Sequence, residues 1–452
     1  MIEPTRGGGG AGSDLGGVGG GGVTDSESEL PSTWLSLKLG DVLAYGKTEK
    51  AEPEEIAPET WVLELEDVEK DTTKVLQHLT FAERQSKSTK NKFNAGDVLY
   101  GKLRPYLNKV TFADRPGVCT TEIVPIKPNE AVHGRYLFHW LRHPAFLTYV
   151  TEVSHGVNMP RLGTDAGRDA PFVLAPKAEQ KRVADKLDTV LTRVDAVNTR
   201  LARVAPLLKR FRQSVLAAAT SGRLTEDWRG GRAVNETWRV IPLGKYVENH
   251  DGARVPISET LRTERRGAYP YYGASGVIDT IDGFTHEGKF VLIGEDGANL
   301  VTRSKPIAFI ATGKIWVNNH AHVLKCKEGA SDEYLAYYIN SIDLTPYVSG
   351  SAQPKLNQKN LNTIPVPVPP TEEQTEIVRR VETLFAFADR LEARLAQAQT
   401  AATRLTPALL AKAFRGELVP QDPNDEPAAE LLRRLASSPT APAKRGRAAK
   451  AT

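Results

Sequence analysis

Apolar residues recur at alternating steps of four and three over two long stretches of the chain. In the first, Val183, Leu187, Val190, Val194, Val197, Leu201, Val204, Leu208, Phe211 and Val215 keep the step without a miss. In the second, Ile377, Val381, Leu384, Ala388, Leu391, Leu395, Ala398, Ala402, Leu405 and Leu409 occupy the same ten places 194 residues later. A strict seven-residue apolar repeat is the pattern of a coiled-coil seam. Each stretch therefore predicts a long helix, and two seams in one chain can pair with each other, a Val-rich face against a Leu/Ala-rich one. Pro176 with Glu179, and Pro369-Pro370 with Glu372 and Glu373, suit helix starts, while Gly222 and Gly416 suit the ends. About 45 residues at ~1.5 Å each make a rod on the order of 65 Å, in which Pro206 and Pro407 should introduce kinks. The competing reading is an intermolecular dimerisation coil; the duplicated layout already supplies a partner within the chain.

The remaining sequence repeats as well. Thr33-Trp34 with Leu39-Gly40 returns 204 residues on as Thr237-Trp238 with Leu243-Gly244, and Tyr136-Leu137 returns 198 residues on as Tyr334-Leu335. Glu179-Gln180 returns as Glu373-Gln374, and Gly222 with Leu224 as Gly416 with Leu418, both 194 residues on. Conserved order with slowly drifting spacing predicts two tandem copies of one unit of roughly 200 residues, each with a globular front and a helical rear. The fronts, 31–170 and 236–363, look mixed α/β. Residues 96–100, 118–126, 289–293 and 307–310 read as short strands, and 134–150 and 332–345 as short helices carrying aromatic residues inward.

A chain of 452 residues, 40% hydrophobic and 25% charged, is long enough for two or three cores. Residues 1–30 are rich in glycine and poor in apolar side chains, which predicts a disordered leader. The net charge is +4, and Lys444, Arg445, Arg447 and Lys450 near the C-terminus leave the remainder close to neutral. Any basic surface must therefore come from patterning and not from bulk charge. Cys119 and Cys326 suit reduced thiols. No secretory leader and no membrane-length apolar run is present, so a cytoplasmic protein with no membrane partner is expected.

Several catalytic signatures fail on inspection. Gly283 to Lys289 has the glycine and lysine spacing of a phosphate-binding loop, but Phe290 stands where a Ser or Thr must reach the metal. Asp282, Glu287 and Lys289, or Glu295 with Asp296, faintly suggest a Mg²⁺-dependent nuclease, although acids beside Gly297 also suit a turn. His320 and His322 share a strand face without a third metal ligand at the right spacing. No Gly-x-Ser-x-Gly elbow and no Asn-Pro-Pro-Tyr/Phe motif for a flipped adenine occurs. The chain is expected to have no catalytic or metal residues of its own.

Side chains that grip phosphates and read base edges are abundant instead. Lys and Arg suit phosphates, and Arg, Asn and Gln can make paired contacts to purines in the major groove. In the first front the candidates are Lys90 and Lys92 beside Lys87, then Lys102, Arg104, Tyr106 and Asn108, then Asn158 and Arg161 on a second loop. In the second front they are Arg265 and Arg266 after Arg262, then Tyr271, Tyr272 and Ser275. Asn299, Arg303, Lys314, Asn318, Asn319 and His320 follow, with Gln353 and Lys355 on a further loop. Taken singly, each suits a solvated loop as well as a DNA contact; taken together, in Gly-bearing loops of both copies, they point to double-stranded DNA.

The helical stretches carry a family resemblance. Glu179 to Leu191, Leu208 to Leu216 and Ser221 to Thr225 resemble the central conserved region of type I restriction-modification specificity (S) subunits, the HsdS family. Glu373 to Phe385 and Leu410 to Leu418 resemble their C-terminal conserved region, and Tyr271 to Ile281 and Gly294 to Leu300 are similar to stretches of their target-recognition domains. The resemblance implies a mixed α+β fold in which two tandem α/β target-recognition domains are separated by two long antiparallel coiled-coil helices with pseudo-two-fold symmetry. It places the target-recognition domains at 31–170 and 236–363. The central conserved helix falls at 171–226, the C-terminal conserved helix at 364–418, and a flexible basic tail at 419–452. It implies a non-catalytic subunit that reads one half of a split site with each domain and binds two methylation (M) subunits. Motor-nuclease (R) subunits would complete the complex, with S-adenosylmethionine, ATP and Mg²⁺ on the partners. Two rivals stand beside it: a purely structural coiled-coil adaptor, and the nuclease that would use Glu295 and Asp296.

Overall fold

Both seam-bearing stretches are helical throughout in the computed structural model, which describes residues 30–437 apart from Val157, Ser351 and Ala352. The expected leader, apart from Leu30, and the end of the expected tail lie outside the described residues. The first long helix is Lys177–Thr220 and the second Thr371–Phe414, 44 residues each. Neither Pro206 nor Pro407 ends its helix: a proline removes one N–H from the ladder, and the turns on either side keep theirs. Each helix closes on a glycine in the left-handed region, Gly222 at φ 76° and Gly416 at φ 78°. A Cβ there would also collide, with Val234 at 2.5 Å or with Pro31 at 2.4 Å.

The chain divides into two compact units: residues up to Asp195 together with those from Thr403 onward, and Ala196–Ala402. Each unit thus holds one front, the start of one long helix and the end of the other. In the first unit five strands form a sheet in the order Lys50–Ala51, Lys90–Phe93, Gly117–Cys119, Trp61–Leu63, Leu79–Thr80. Val98–Gly101 lies between Val110–Phe112 and Ile123–Ile126 in a second sheet. Residues 118–126, expected as one strand, are therefore two strands in different sheets, because a turn closed by Ile123 N donating to Thr120 O at 3.0 Å intervenes. The 134–150 segment likewise splits into Gly134–Trp140 and Pro144–Val153, the second begun by Pro144 and capped by His143 Nδ1, which accepts from Ala145 N at 3.1 Å. In the second unit six strands run in the order Val247–Asn249, Ala321–Cys326, His286–Gly294, Ala308–Val317, Tyr269–Gly273, Gly276–Ile281.

The seam residues serve two kinds of packing. In the second unit Leu201, Val204, Leu208 and Phe211 meet Ala388, Leu391 and Leu395, helix against helix. In the first unit Val183, Ala184, Leu187 and Leu191 join Leu410, Ala413, Phe414 and the front's own Tyr136, Trp140 and Phe172 in one core. There the buried stripe is wider than a two-position seam, because the helix covers a front as well as a partner helix. Val197 and Leu405, which the period assigns to the seam, are each 44% exposed.

One joint recurs in both units. Trp34 Nε1 donates to the buried Glu179 at 2.8 Å, and Trp238 Nε1 donates to the buried Glu373 at 2.9 Å. The neighbouring Gln180 donates to the carbonyls of Ala131 and Ala175 while accepting from His133 N; Gln374 donates to those of Gly329 and Pro369 while accepting from Ser331 N. The third and fourth residues of each long helix therefore clamp the front to the helix. A two-stranded ribbon completes each clamp: Leu35–Lys38 with Pro171–Leu174, and Arg239–Pro242 with Pro365–Val368.

The expected flexible tail requires a correction. Helix Ala428–Ser437 buries Ala428 and Leu431 in the first unit's core, Arg182 pairs with Asp425 at 2.6 Å, and Gln421 donates to Glu179. Leu431, Leu432 and Leu435 supply an apolar face at helical spacing, enough to fold residues 419–437 onto the unit.

The two joints differ in their second partner. Arg229 pairs with Glu373, both nearly free of solvent exposure, whereas Glu179 receives only the neutral Gln421 amide at that oxygen. Burial pushes the Glu179 carboxyl above its ordinary value, against the hydrogen bonds from Trp34 and Gln421. Glu373→Gln, which leaves Arg229 buried without its counter-charge, is expected to cost about 3–5 kcal/mol in urea unfolding; Glu179→Gln is expected to cost under about 1 kcal/mol. Because the Glu179 value is raised in the folded state, its stabilisation is complete below about pH 4 and is lost as pH rises through the raised value. Glu179→Gln should flatten that slope, and equal costs for the two substitutions would refute the asymmetry.

Candidate nucleic-acid interface

Two segments of the first front lie side by side. The chain leaving strand Val98–Gly101 runs through Lys102 to Asn108, and 154–161 folds back beside it. Arg104 N donates to Pro160 O at 2.7 Å, Leu162 N donates to Lys102 O at 2.9 Å, and His155 and Arg161 exchange backbone bonds of 3.2 and 2.9 Å. Arg104 (φ 51°) and Asn108 (φ 48°) bracket the single turn Pro105–Leu107 in left-handed conformations, which L residues adopt sparingly and which cluster at functional loops. Arg104, Tyr106, Asn158 and Arg161 are exposed on these two segments, and Lys102 and Asn108 are half-buried. Arg161 is held by Glu122 at 3.1 Å.

The second front builds the same pair of loops. Gly297 N donates to Pro354 O at 3.0 Å, Leu356 N donates to Glu295 O at 2.7 Å, and Ser349 and Lys355 exchange backbone bonds of 2.8 Å each. Gly297 (φ 101°) takes the place of Arg104, and Gly350 (φ 85°) that of Gly156 (φ 118°). Two further turns reach this cluster. Asn318 N donates to Tyr272 O at 3.2 Å, and a Cβ on Gly294 would lie 2.7 Å from Ala274 O, so the hairpin tip carrying Tyr272 and Ser275 presses on the strand end. His320 pairs with Asp296 at 2.8 Å beside the exposed Asn319. Gln353 and Lys355 are exposed, and Lys355 reaches Glu295 at 3.2 Å.

Not every sequence candidate joins a cluster. Lys90 is only 3% exposed and sits on Glu64 at 2.6 Å, and Lys92 pairs with Glu49 at 2.9 Å, both on the five-stranded sheet. Tyr271 is buried with its hydroxyl accepting from Ile257 N at 3.2 Å, and Tyr272 stacks on Phe309. Arg265 bridges Asp282 and Trp316, and Lys314 lies over Phe284, a neighbourhood that also exposes Arg266. Arg303 donates to the carbonyls of Ile339, Asn340 and Ile342 at the end of helix Asp332–Ser341. Asn299 turns inward to Ser304 and Lys305, and the buried Asn318 accepts from His320 N. Lys90, Tyr271 and Arg303 therefore hold the fold in this structure: their polar atoms are already engaged by groups that burial obliges them to satisfy.

Sequence reasoning missed the buried network beneath the second cluster. His322, 1% exposed, places Nδ1 2.6 Å from Asp251 and Nε2 2.8 Å from Leu356 O. Arg254 pairs with Glu295 at 2.6 Å and donates to Ala321 O at 2.9 Å. Loop 349–357 is thereby fixed to the sheet through both its backbone and Lys355. A signal for the loops existed, since 155–161 and 349–355 keep the 194-residue offset of the helices; the ion pairs have no sequence signature. The network also engages the two carboxylates of the nuclease alternative. Glu295 is committed to Arg254 and Lys355 and Asp296 to His320, and among the described residues no group of three His, Cys, Asp or Glu is placed to hold a metal ion. Burial opposes ionisation of Asp251 and Glu295, yet His322 on the first and Arg254 on the second hold both carboxyls below their ordinary values.

Two copies of one front, each carrying the same loop pair, define an internally duplicated protein. Residues 235–399 match the family model described as the type I restriction modification DNA specificity domain. The chain is 31% identical over 337 residues to the EcoBI type I restriction enzyme specificity subunit of Escherichia coli, covering 67% of this chain and 69% of that one. It is 40% identical over 147 residues to a Haemophilus influenzae protein described as a putative specificity subunit, but spans only 37% of that relative's length. A solved chain from a study of type I R-M complex assembly and conformational transition superposes with a TM-score of 0.71 at 22% identity, covering 86% of this chain and 99% of that one. The chain belongs to the type I restriction-modification specificity subunits, with the mixed α+β fold of two domains and paired long helices. These are the non-catalytic subunits that give such enzymes their DNA sequence specificity. Among the described residues no helix is long and apolar enough to cross a membrane.

His322→Leu is expected to cost about 1–3 kcal/mol, since it leaves buried acceptors on Asp251 and Leu356 without that donor. Hydrogen exchange should locate the loosening in 349–357. Because Asp251 and Glu295 are held below their ordinary values, the network's stabilisation is present above about pH 4 and is lost as pH falls through the depressed values. A second unit that gains stability on acidification through this range would contradict the assignment.

Proposed function

We propose that this chain reads a bipartite double-stranded DNA site, one half with each front, and scaffolds two methylation subunits on the exposed faces of its long helices. Residues 31–170 and 236–363 act as the target-recognition domains, and the long helices set the unread spacer. The observation that carries the reading is the repetition of one loop pair, 102–109 with 154–161 and 295–303 with 349–357, closed by equivalent backbone bonds in each copy. Such a loop pair can set Arg, Asn, Gln and Lys side chains against base edges while neighbouring cations meet phosphates. Because DNA half-sites repeat with the helical turn, a scaffold of fixed length selects their separation.

Adenine methylation with S-adenosylmethionine, and cleavage driven by ATP and Mg²⁺, belong in this reading to the methylation subunits and to motor-nuclease subunits, in the cytoplasm. Footprinting of the chain with its methylation subunits is expected to give two protected patches flanking an unread spacer. One continuous patch, or binding without sequence preference, would favour a structural adaptor. Deleting seven residues from each long helix removes about 10 Å of rise and should shorten the preferred spacer by about 3 base pairs. Mapping methylated adenines before and after the deletion checks this, and an unchanged spacer would refute the ruler.

A further inference from the structure

The second half of the first long helix has a charge imbalance that neither the seam nor the recognition loops use. Residues 177–195 carry five basic and four acidic side chains, close to balance. Residues 196–220 carry Arg200, Arg203, Lys209, Arg210 and Arg212 and not one acid. Arg212 is neutralised by Asp389 at 2.6 Å and Glu392 at 3.2 Å on the second long helix. Arg200, Arg203 and Arg210 are exposed, and none of them forms an ion pair among the described residues.

Spacings of three and seven put these three guanidinium groups on one face of the helix. That face lies beside the buried seam of Leu201, Leu208 and Phe211 and does not belong to it. The stripe rises about 15 Å from Arg200 to Arg210, the length of about four base pairs. Like charges three residues apart repel, and residues 196–220 supply no acid to relieve them, so the stripe suits an anion from outside the chain. It also lies on the long helix that joins the two fronts in sequence.

We propose that Arg200, Arg203 and Arg210 form a phosphate-binding stripe for the duplex DNA that separates the two half-sites. This rests on the bipartite reading above. The spacer is then gripped without being read: guanidinium contacts to its backbone add affinity and fix the helical phase of the two halves, but carry no base preference. A protein surface as occupant would need a sizeable apolar area between the charges; the same face carries one large apolar side chain, Leu207, 56% exposed, with Ala196 and Thr199 beside it.

The test uses the chain assembled with its methylation subunits on a duplex carrying the bipartite site. Binding of the wild type and of the triple variant Arg200→Gln, Arg203→Gln, Arg210→Gln is measured over a range of salt concentrations. Each lost phosphate contact lowers the slope of log affinity against log salt by about 0.9, so a fall of about two to three is expected. The half-site sequences preferred should stay the same. The triple Arg→Lys variant, which keeps the charge, should recover the slope, and matching melting curves exclude a folding defect. An unchanged slope overturns the proposal. So does a triple variant that no longer assembles with methylation subunits but binds DNA with the wild-type slope, which would make the stripe a protein interface. A wild-type complex with no bipartite preference would overturn the functional reading itself, an outcome separable from a slope that does not move.

Discussion

A buried carboxylate at the third position of each long helix is the joint on which the molecule depends. Glu179 and Glu373 each accept an indole N–H from a tryptophan at the beginning of the front, 145 and 135 residues away. That bond closes the front onto the helix at its first turn, where the helix dipole favours a negative charge. The adjacent glutamine, spending its amide on two backbone carbonyls and a backbone N–H, fixes the rotation of the front about the helix. Everything the loops present is referred to this joint, because the ribbon strands that frame each front are the segments the tryptophan and the helix start belong to. A buried charge is costly unless it is hydrogen-bonded, so the joint is satisfied only in one arrangement, and it supplies direction that apolar packing alone does not.

The same joint is built with different chemistry in the two copies. Glu373 is matched by Arg229 from the segment that follows the first long helix, and Glu179 by Gln421 from the segment that follows the second. The loop clusters diverge in the same way: Lys102 occupies the backbone position that Glu295 holds in the second copy, so one loop base is cationic and the other is an anion tied to Arg254 and Lys355. Backbone bonding is the conserved element and side-chain electrostatics the variable one. That division suits two fronts that share a frame and meet different surfaces.

Much of this was legible in the sequence, for physical reasons that also mark where legibility stops. The seven-residue period located both long helices and the glycines their ends, since a helix cannot bury a stripe without repeating it and αL closure favours glycine. The 194-residue offset exposed the duplication. The buried joint was foreshadowed by the repeated Thr-Trp and Glu-Gln pairs, but pairing a tryptophan with a glutamate over a hundred residues away requires the fold. Candidate contacts were selected by residue type, and type does not distinguish Arg104, exposed on a strained loop, from Arg303, which donates to three carbonyls at a helix end. Lys90 fails for the same reason. The tail was misjudged because its folded part, 419–437, carries its apolar face on only three leucines among charged and proline residues.

The distribution of charge along the first long helix follows from what each half has to do. In residues 177–195 the helix covers a front, and its acids are consumed locally: Asp188 holds Arg135 and His139, and Glu179 holds Trp34. In residues 196–220 the buried face meets chiefly the second helix, whose Asp389 and Glu392 satisfy Arg212 alone. A helix interface in water needs only its seam; surface ion pairs would add a few tenths of a kcal/mol each and are not exploited beside Arg200, Arg203 and Arg210. Stability within the chain therefore does not account for three aligned guanidinium groups on a nearly neutral protein. An external polyanion would, and the duplex DNA of the proposed bipartite reading is the one that a specificity subunit would bring to its own surface.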